Sequence, residues 1–266
     1  MKKYLFFPVI SLAGGAAAFL LRLMQNRTGF EADTGLPVPG CLSAWLLPVL
    51  LAALGGIFLL SVRRLPGERS ATLLRFQDYF CADGAGIPTL LVAGVFLWFL
   101  SGVCGIAPVF SADASRKDLI VGLLSILTAG CLFSVIAPCR RGSRKLLNGN
   151  LLLAPVVYLV IRLVLSYREN SVNPSLTAYY VELLALVFGI LAFYRASSFA
   201  FGSGRTRRFT VYACMSLVLG IATLADAHTL SDRLLFGGDI AFVLGLLLLR
   251  LSAVAWAEKP AQDSPD

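Results

Sequence analysis

The chain reads as an all-α protein, a polytopic transmembrane helical bundle of about eight spans with both termini in the cytoplasm (N-in/C-in). Three observations predict this. Of 266 residues, 58% are hydrophobic and only 14% charged, whereas a soluble domain carries about 25% charged residues. Apolar stretches of about 20 residues recur along the chain, and in hydrocarbon such stretches must be helices, because no water is present to satisfy backbone N–H and C=O groups. Lys and Arg gather in alternate gaps between the stretches, the asymmetry that orients membrane helices.

The spans fall at about 4–24, 42–62, 88–109, 118–138, 150–167, 176–198, 209–228 and 233–256, in a single integral membrane domain covering 1–266. The first follows Met1-Lys2-Lys3 and resembles a signal peptide up to Ala16-Ala17-Ala18. Its apolar run continues through Leu20, Leu21 and Leu23, longer than an ordinary signal core, so an uncleaved first span is expected. Counting those at span ends with the adjoining gap (Arg195, Arg233), fifteen Lys and Arg belong to the terminal tails and the even gaps, including Arg63, Arg64, Arg140, Arg141, Arg207 and Arg208, against five for the odd gaps. Basic loops stay inside, so both termini are expected in the cytoplasm; the expected location is a bacterial cytoplasmic membrane.

The gaps add local expectations. Residues 70–80 could lie as a short amphipathic helix on the inner leaflet, and the short fifth gap makes spans five and six antiparallel neighbours. Gly202-Ser203-Gly204 beside Arg205, Arg207 and Arg208 reads as a flexible anionic-lipid contact. Gly14-Gly15, Gly55-Gly56 and Gly102/Gly105 mark places where helices can approach closely. Ile106-Ala107-Pro108 recurs as Ile136-Ala137-Pro138, too short a match to argue a duplication.

The net charge of +8 would suggest nucleic acid in a soluble protein; here the basic residues border apolar spans, so no nucleic-acid partner is expected and the bilayer is the partner instead. The six cysteines contain no C-x-x-C pair and read as packing residues. His228 is the single histidine, so zinc motifs needing two are excluded, and neither G-x-S-x-G nor a phosphate loop is present. No metal, no cofactor and no catalytic residue is expected.

Charges inside hydrocarbon cost about 2.5–3.5 kcal/mol each on insertion scales, so they mark function or pairing. Arg162, Glu182 and Asp239 are expected about 8–9 Å beneath the outer surface, with Arg22, Asp226 and His228 at the rim and Arg250 alone near the inner side. Tyr158 shares a helix face with Arg162, as Tyr179 does with Glu182 and Thr223 with Asp226. One expectation is a structural clasp, Arg162 pairing with Glu182 or Asp239. The other is an outward-facing polar site in which Arg162, Glu182, Asp239, Tyr158, Tyr179, Arg22 and Asp226 bind a small polar or anionic solute. The leading functional expectation is a small-solute transporter or permease component, proton-coupled through Glu182 or Asp239. The alternative is a non-catalytic membrane sensor or complex subunit with structural ion pairs. An intramembrane enzyme acting on lipid-linked substrates comes third, without a motif in its support.

Overall fold

The computed structural model describes residues 4–31, 36–38, 41–65, 76–80, 86–110, 116–139, 149–171, 179–226 and 228–258. Nine α-helices occur among them: α1 (Phe6–Thr28), α2 (Leu42–Ser61), α3 (Phe76–Tyr79), α4 (Gly86–Ile106), α5 (Arg116–Ile136), α6 (Ala154–Asn170), α7 (Tyr180–Ala200), α8 (Thr206–Thr223) and α9 (Leu230–Glu258). The only strand-like pairing among the described residues is an isolated bridge between Phe30 and Pro37. The protein is an all-α integral membrane bundle.

Seven helices are long and apolar enough to cross a membrane: α1, α2, α4, α5, α6, α7 and α9. The eighth expected span, 209–228, differs from the rest. Its helix, α8, begins with Thr206-Arg207-Arg208, is less apolar than the others, and is buried along nearly its whole length. The reason is position. α8 packs against α1, α2, α7 and α9, so protein rather than lipid surrounds it, and Ser216, Thr210 and Thr223 can replace aliphatic residues there.

Contacts between side chains give the direction of each long helix. Ser11, Gly15 and Arg22 of α1 meet Cys214, Ile221 and Asp226 in ascending order, so α1 and α8 run parallel. Arg207 at the start of α8 holds the carbonyl of Leu65 just beyond α2, which makes that pair antiparallel. Gly94 faces Phe242 while Ser101 binds Ser231, so α4 and α9 are antiparallel; Ser125 donates to the Trp98 carbonyl and Gly122 faces Gly102, which sets α5 antiparallel to α4. Ser166 of α6 meets Glu182 near the start of α7, and Leu159 meets Gly189, the antiparallel hairpin expected from the short gap. All eight long helices therefore alternate up and down. The start of α1 and the end of α9 share one end of the bundle, here named the Arg250 end; His228 marks the other.

Close approaches are built on glycine. A Cβ at Gly94 would meet the Phe242 amide at 2.8 Å and the Gly238 carbonyl at 3.0 Å; one at Gly238 would meet Trp98 at 2.3 Å. Gly102 and Gly122 bring α4 and α5 together in the same way, and Gly15 admits Ile221. Of the glycines singled out in the sequence, Gly14 (against Leu54), Gly15 and Gly102 serve this purpose. Gly56 has nothing within 4 Å of where its Cβ would lie, and Gly55 only the Met215 sulfur of α8 at 3.8 Å, so Gly55-Gly56 does not mark a close approach.

The recurring Ile-Ala-Pro is a stop signal. α4 ends at Ile106 and α5 at Ile136, each followed by a 3₁₀ turn holding Ala and Pro, because proline disfavours helical geometry in the residue before it. Gly202-Ser203-Gly204 is an ordered turn rather than a flexible one. Gly202 takes φ +70°, its N–H donates to the Phe199 carbonyl and that of Ser203 to Ser198, a glycine-terminated helix end. In the 70–80 segment, 70–75 lies outside the described residues. Phe80 is buried against Phe199 and Phe209, with Phe76 buried and stacked on Phe80, instead of resting on lipid.

The outer helices present Trp45, Val49, Leu60, Phe96, Phe133 and Val157 to the surroundings. A water-soluble protein does not display so much apolar surface, and a lipid-facing one must.

Candidate functional site

The polar residues at the His228 end separate into two ion-pair clasps, a carboxylate between them, and one acid at a deeper level. This replaces the single-depth cluster expected from the sequence.

The first clasp joins α1 to the turn after α8. Arg22, fully buried, donates from Nε to Asp226 Oδ1 at 2.7 Å and from Nη1 to Gln25 Oε1 at 3.0 Å. Asn26 Nδ2 adds a donation to Asp226 Oδ1 at 2.9 Å and to the Ala225 carbonyl at 3.2 Å. The guanidinium lies 5.6 Å from the centre of the Tyr180 ring. Charge and hydrogen bonding are matched on both partners, as a desolvated pair requires.

The second clasp joins α6 to α9. Arg162 pairs with Asp232, not with Glu182 or Asp239. Asp232 is held in turn at the head of α9: its backbone N–H donates to Thr229 Oγ1 at 3.2 Å, while the Thr229 hydroxyl donates to Asp232 Oδ2 at 2.7 Å. Thr229 thus caps α9 as the first residue of a capping box does, while Asp232 accepts from its hydroxyl rather than from its backbone N–H. The cap starts α9 at Leu230, three residues before the expected 233, and so brings Asp232 into the helix.

Glu182 of α7 accepts a hydrogen bond from Ser166 at 2.9 Å and lies within electrostatic reach of His228, Arg162 and Asp232. His228 Nε2 is 3.1 Å from Thr223 Oγ1, and its ring packs on Phe236. It is therefore partly enclosed beside Glu182 rather than a solvated loop histidine.

Asp239 stands apart. It lies nine residues into α9, about 14 Å along the helix, and faces Gly189, seven residues further into α7 than Glu182, so it is deeper in the bundle than Glu182 rather than level with it. It is 4% exposed. Its Oδ2 accepts one long hydrogen bond from Ser216 of α8 at 3.4 Å, and its Oδ1 has no partner. Opposite it on α7 is Gly189, whose missing side chain leaves the carboxylate facing backbone.

The two expected tyrosines are packing residues at this end. Tyr158 is buried against Trp98, its hydroxyl facing Ser125. Tyr179 sits just before α7, where its carbonyl accepts the Leu183 N–H; Tyr180, not Tyr179, contacts the clasp. Arg250 belongs to the opposite end, as expected. It lies twenty residues beyond Leu230, about 30 Å along α9, which puts it at an interface rather than inside hydrocarbon. There it donates from Nε to Thr206 Oγ1 at 2.9 Å and stacks on Tyr79 and Phe199.

The residues missed in the sequence are Asp232, Thr229, Ser166, Ser216 and Tyr180. Two had readable signals: Thr229-x-x-Asp232 is a cap pattern, and Ser166 follows Arg162 by one turn on the same face. Among the described residues, no three of His, Cys, Asp and Glu come together as a group able to hold a metal. Comparisons of the chain with protein-family models, with curated proteins and with solved structures give no match.

Proposed function

We propose that this protein is a small-solute transporter or permease component coupled to protons or another small cation, with Asp239 as the coupling group. The observation that carries this reading is the partnerless carboxylate oxygen of Asp239 deep in the bundle. Acids with a purely structural role in this chain, Asp226 and Asp232, each have an arginine. A charged carboxylate at the bilayer centre is costly, so Asp239 is favoured either as the neutral acid or with a cation beside it, and alternation between those states is what coupling requires. Asp232 and Asp239 are seven residues apart on α9, as Glu182 and Gly189 are on α7. Two turns return to nearly the same face, so both helices point a line from rim to core, about 10 Å long.

The orientation with both termini in the cytoplasm opens this line to the outside. A second reading, a non-catalytic membrane subunit, draws support from the fully matched Arg22–Asp226 clasp, which needs no ligand.

The test uses full-length protein in proteoliposomes loaded with a pH-sensitive dye, challenged with amino acids, organic anions and sugars. Wild type should move protons or sodium with one solute class, and Asp239→Asn should abolish the movement while melting within a few degrees of wild type. Asp239→Leu removes a buried polar group whose desolvation is uncompensated, so its stability should hold or rise. No solute-linked flux in wild type, with a stabilised Asp239→Leu, would return the protein to the subunit reading.

A further inference from the structure

Toward the Arg250 end, a half-buried cation has a buried N–H without an acceptor. Arg195 is on α7, five residues before the helix ends at Ala200. Its Nε is buried with no hydrogen-bond partner. Its guanidinium lies between two rings instead, 5.5 Å from the centre of Tyr194 and 5.9 Å from that of Tyr212 on α8. Aromatic faces attract a guanidinium, but they leave the Nε–H without the oxygen acceptor that a planar fork is shaped to bind.

The surroundings indicate where an acceptor would come from. Tyr194 is 48% exposed on the outer surface of the bundle, so the guanidinium borders the lipid side of the α7–α8 groove. Arg208, exposed and one turn before Tyr212 on the same face of α8, adds a second positive charge nearer the bundle end. Towards the middle of the bundle the groove becomes apolar. Leu184, Phe188 and Leu191 precede Arg195 at spacings of four, three and four residues, one face of α7, and Phe188 packs on the far side of Tyr212. The groove thus has cations near the membrane surface and an aliphatic-aromatic track running from them toward the midplane.

We propose that this groove binds an anionic phospholipid, its phosphate oxygens on Arg195 and Arg208 and one acyl chain along Leu184, Phe188 and Leu191. The ligand chemistry is a phosphate oxyanion, and the apolar track assigns it to a lipid rather than to free phosphate. Basic pockets between membrane helices hold lipid headgroups by the same physics. This site lies six residues beyond Gly189 on α7, toward the Arg250 end, away from the line between Glu182 and Asp239, and does not depend on the transport reading.

Native mass spectrometry of the detergent-solubilised full chain tests it, with titration by phosphatidylglycerol and by phosphatidylcholine of identical acyl chains. Wild type should bind phosphatidylglycerol about tenfold more tightly. Arg195→Gln should abolish that preference and Arg195→Lys should retain part of it, since the charge remains while the fork is lost. Arg208→Gln, at an exposed position that folding does not need, should weaken phosphatidylglycerol several-fold even if Arg195→Gln proves unstable. Equal binding of the two lipids by wild type, or unchanged preference in Arg208→Gln and Arg195→Gln, would overturn the site. Displacement of phosphatidylglycerol by millimolar inorganic phosphate would overturn the assignment to lipid.

Discussion

Arg22 and Arg162 hold neighbouring clasps that differ in their access to water. The side chains of Arg22 and Asp226 are 1% and 13% exposed, those of Arg162 and Asp232 18% and 19%. Removing one partner of a desolvated pair strands a charge and costs about 3–5 kcal/mol, whereas exposed pairs contribute at most about 1 kcal/mol. Arg22→Leu should therefore lower stability by about 3–5 kcal/mol, and Arg22→Leu/Asp226→Leu should recover most of it. Arg162→Leu should cost about 2 kcal/mol, because water can reach the stranded Asp232. Thermal melts in one detergent give the ranking, and an Arg162→Leu more damaging than Arg22→Leu would show that the second clasp is the drier. The sequence identified Arg22, Arg162, Glu182, Asp226 and Asp239 as the exceptional polar residues, because each interrupts an apolar run. It did not reveal who pairs with whom. Pairing depends on helix rotation and on offsets of a few residues, and the three-residue shift in the start of α9 was enough to replace Glu182 by Asp232 as the partner of Arg162.

Helix contacts show the same division at the scale of elements. Span positions were legible because length and hydropathy are summed over some twenty residues and tolerate local exceptions. Contact faces were not, because lipid is as apolar as a helix neighbour and hydrophobic pattern cannot tell the two apart. Glycine was the available cue: it found Gly14, Gly15 and Gly102, but it also pointed to Gly56, which lies open, while Gly94, Gly122 and Gly238 were passed over. A direct comparison follows. Gly238→Ala places a methyl 2.3 Å from Trp98 and 2.9 Å from the Gly94 carbonyl, so α4 and α9 must separate; a loss of about 1–3 kcal/mol is expected for such overpacking. Gly56→Ala meets no neighbour and removes a helix-disfavouring residue, so it should be neutral or gain up to about 1 kcal/mol. Equal melting temperatures for the two variants would mean that the α4–α9 contact adjusts at no cost.

For the whole molecule, the alternation of eight long helices and the distribution of charge combine into one prediction. α8 would be omitted by a count based on apolarity alone, and seven spans would put the termini on opposite sides. Its parallel course with α1 and antiparallel course with α2 restore the even number, so the start of α1 and the end of α9 share a side. The Arg250 end carries Arg63, Arg64, Arg205, Arg207 and Arg208, all exposed, and since basic segments are retained in the cytoplasm, the prediction is that this end faces the cytoplasm. Arg207 is also used structurally, donating to the Leu65 carbonyl at 2.7 Å, but the remaining arginines of this end keep the bias. Single cysteines can be placed on a cysteine-free background at Glu31 and Ser171, exposed at the His228 end, and at Arg64 and Ser203, exposed at the Arg250 end. In intact cells, a membrane-impermeant thiol reagent should label the first two, and the other two only after permeabilisation. The reverse pattern would invert the bundle and turn the line from Glu182 to Asp239 toward the cytoplasm. Labelling at Glu31 and Arg64 from the same side would be incompatible with α2 crossing the membrane, and with it the alternation itself.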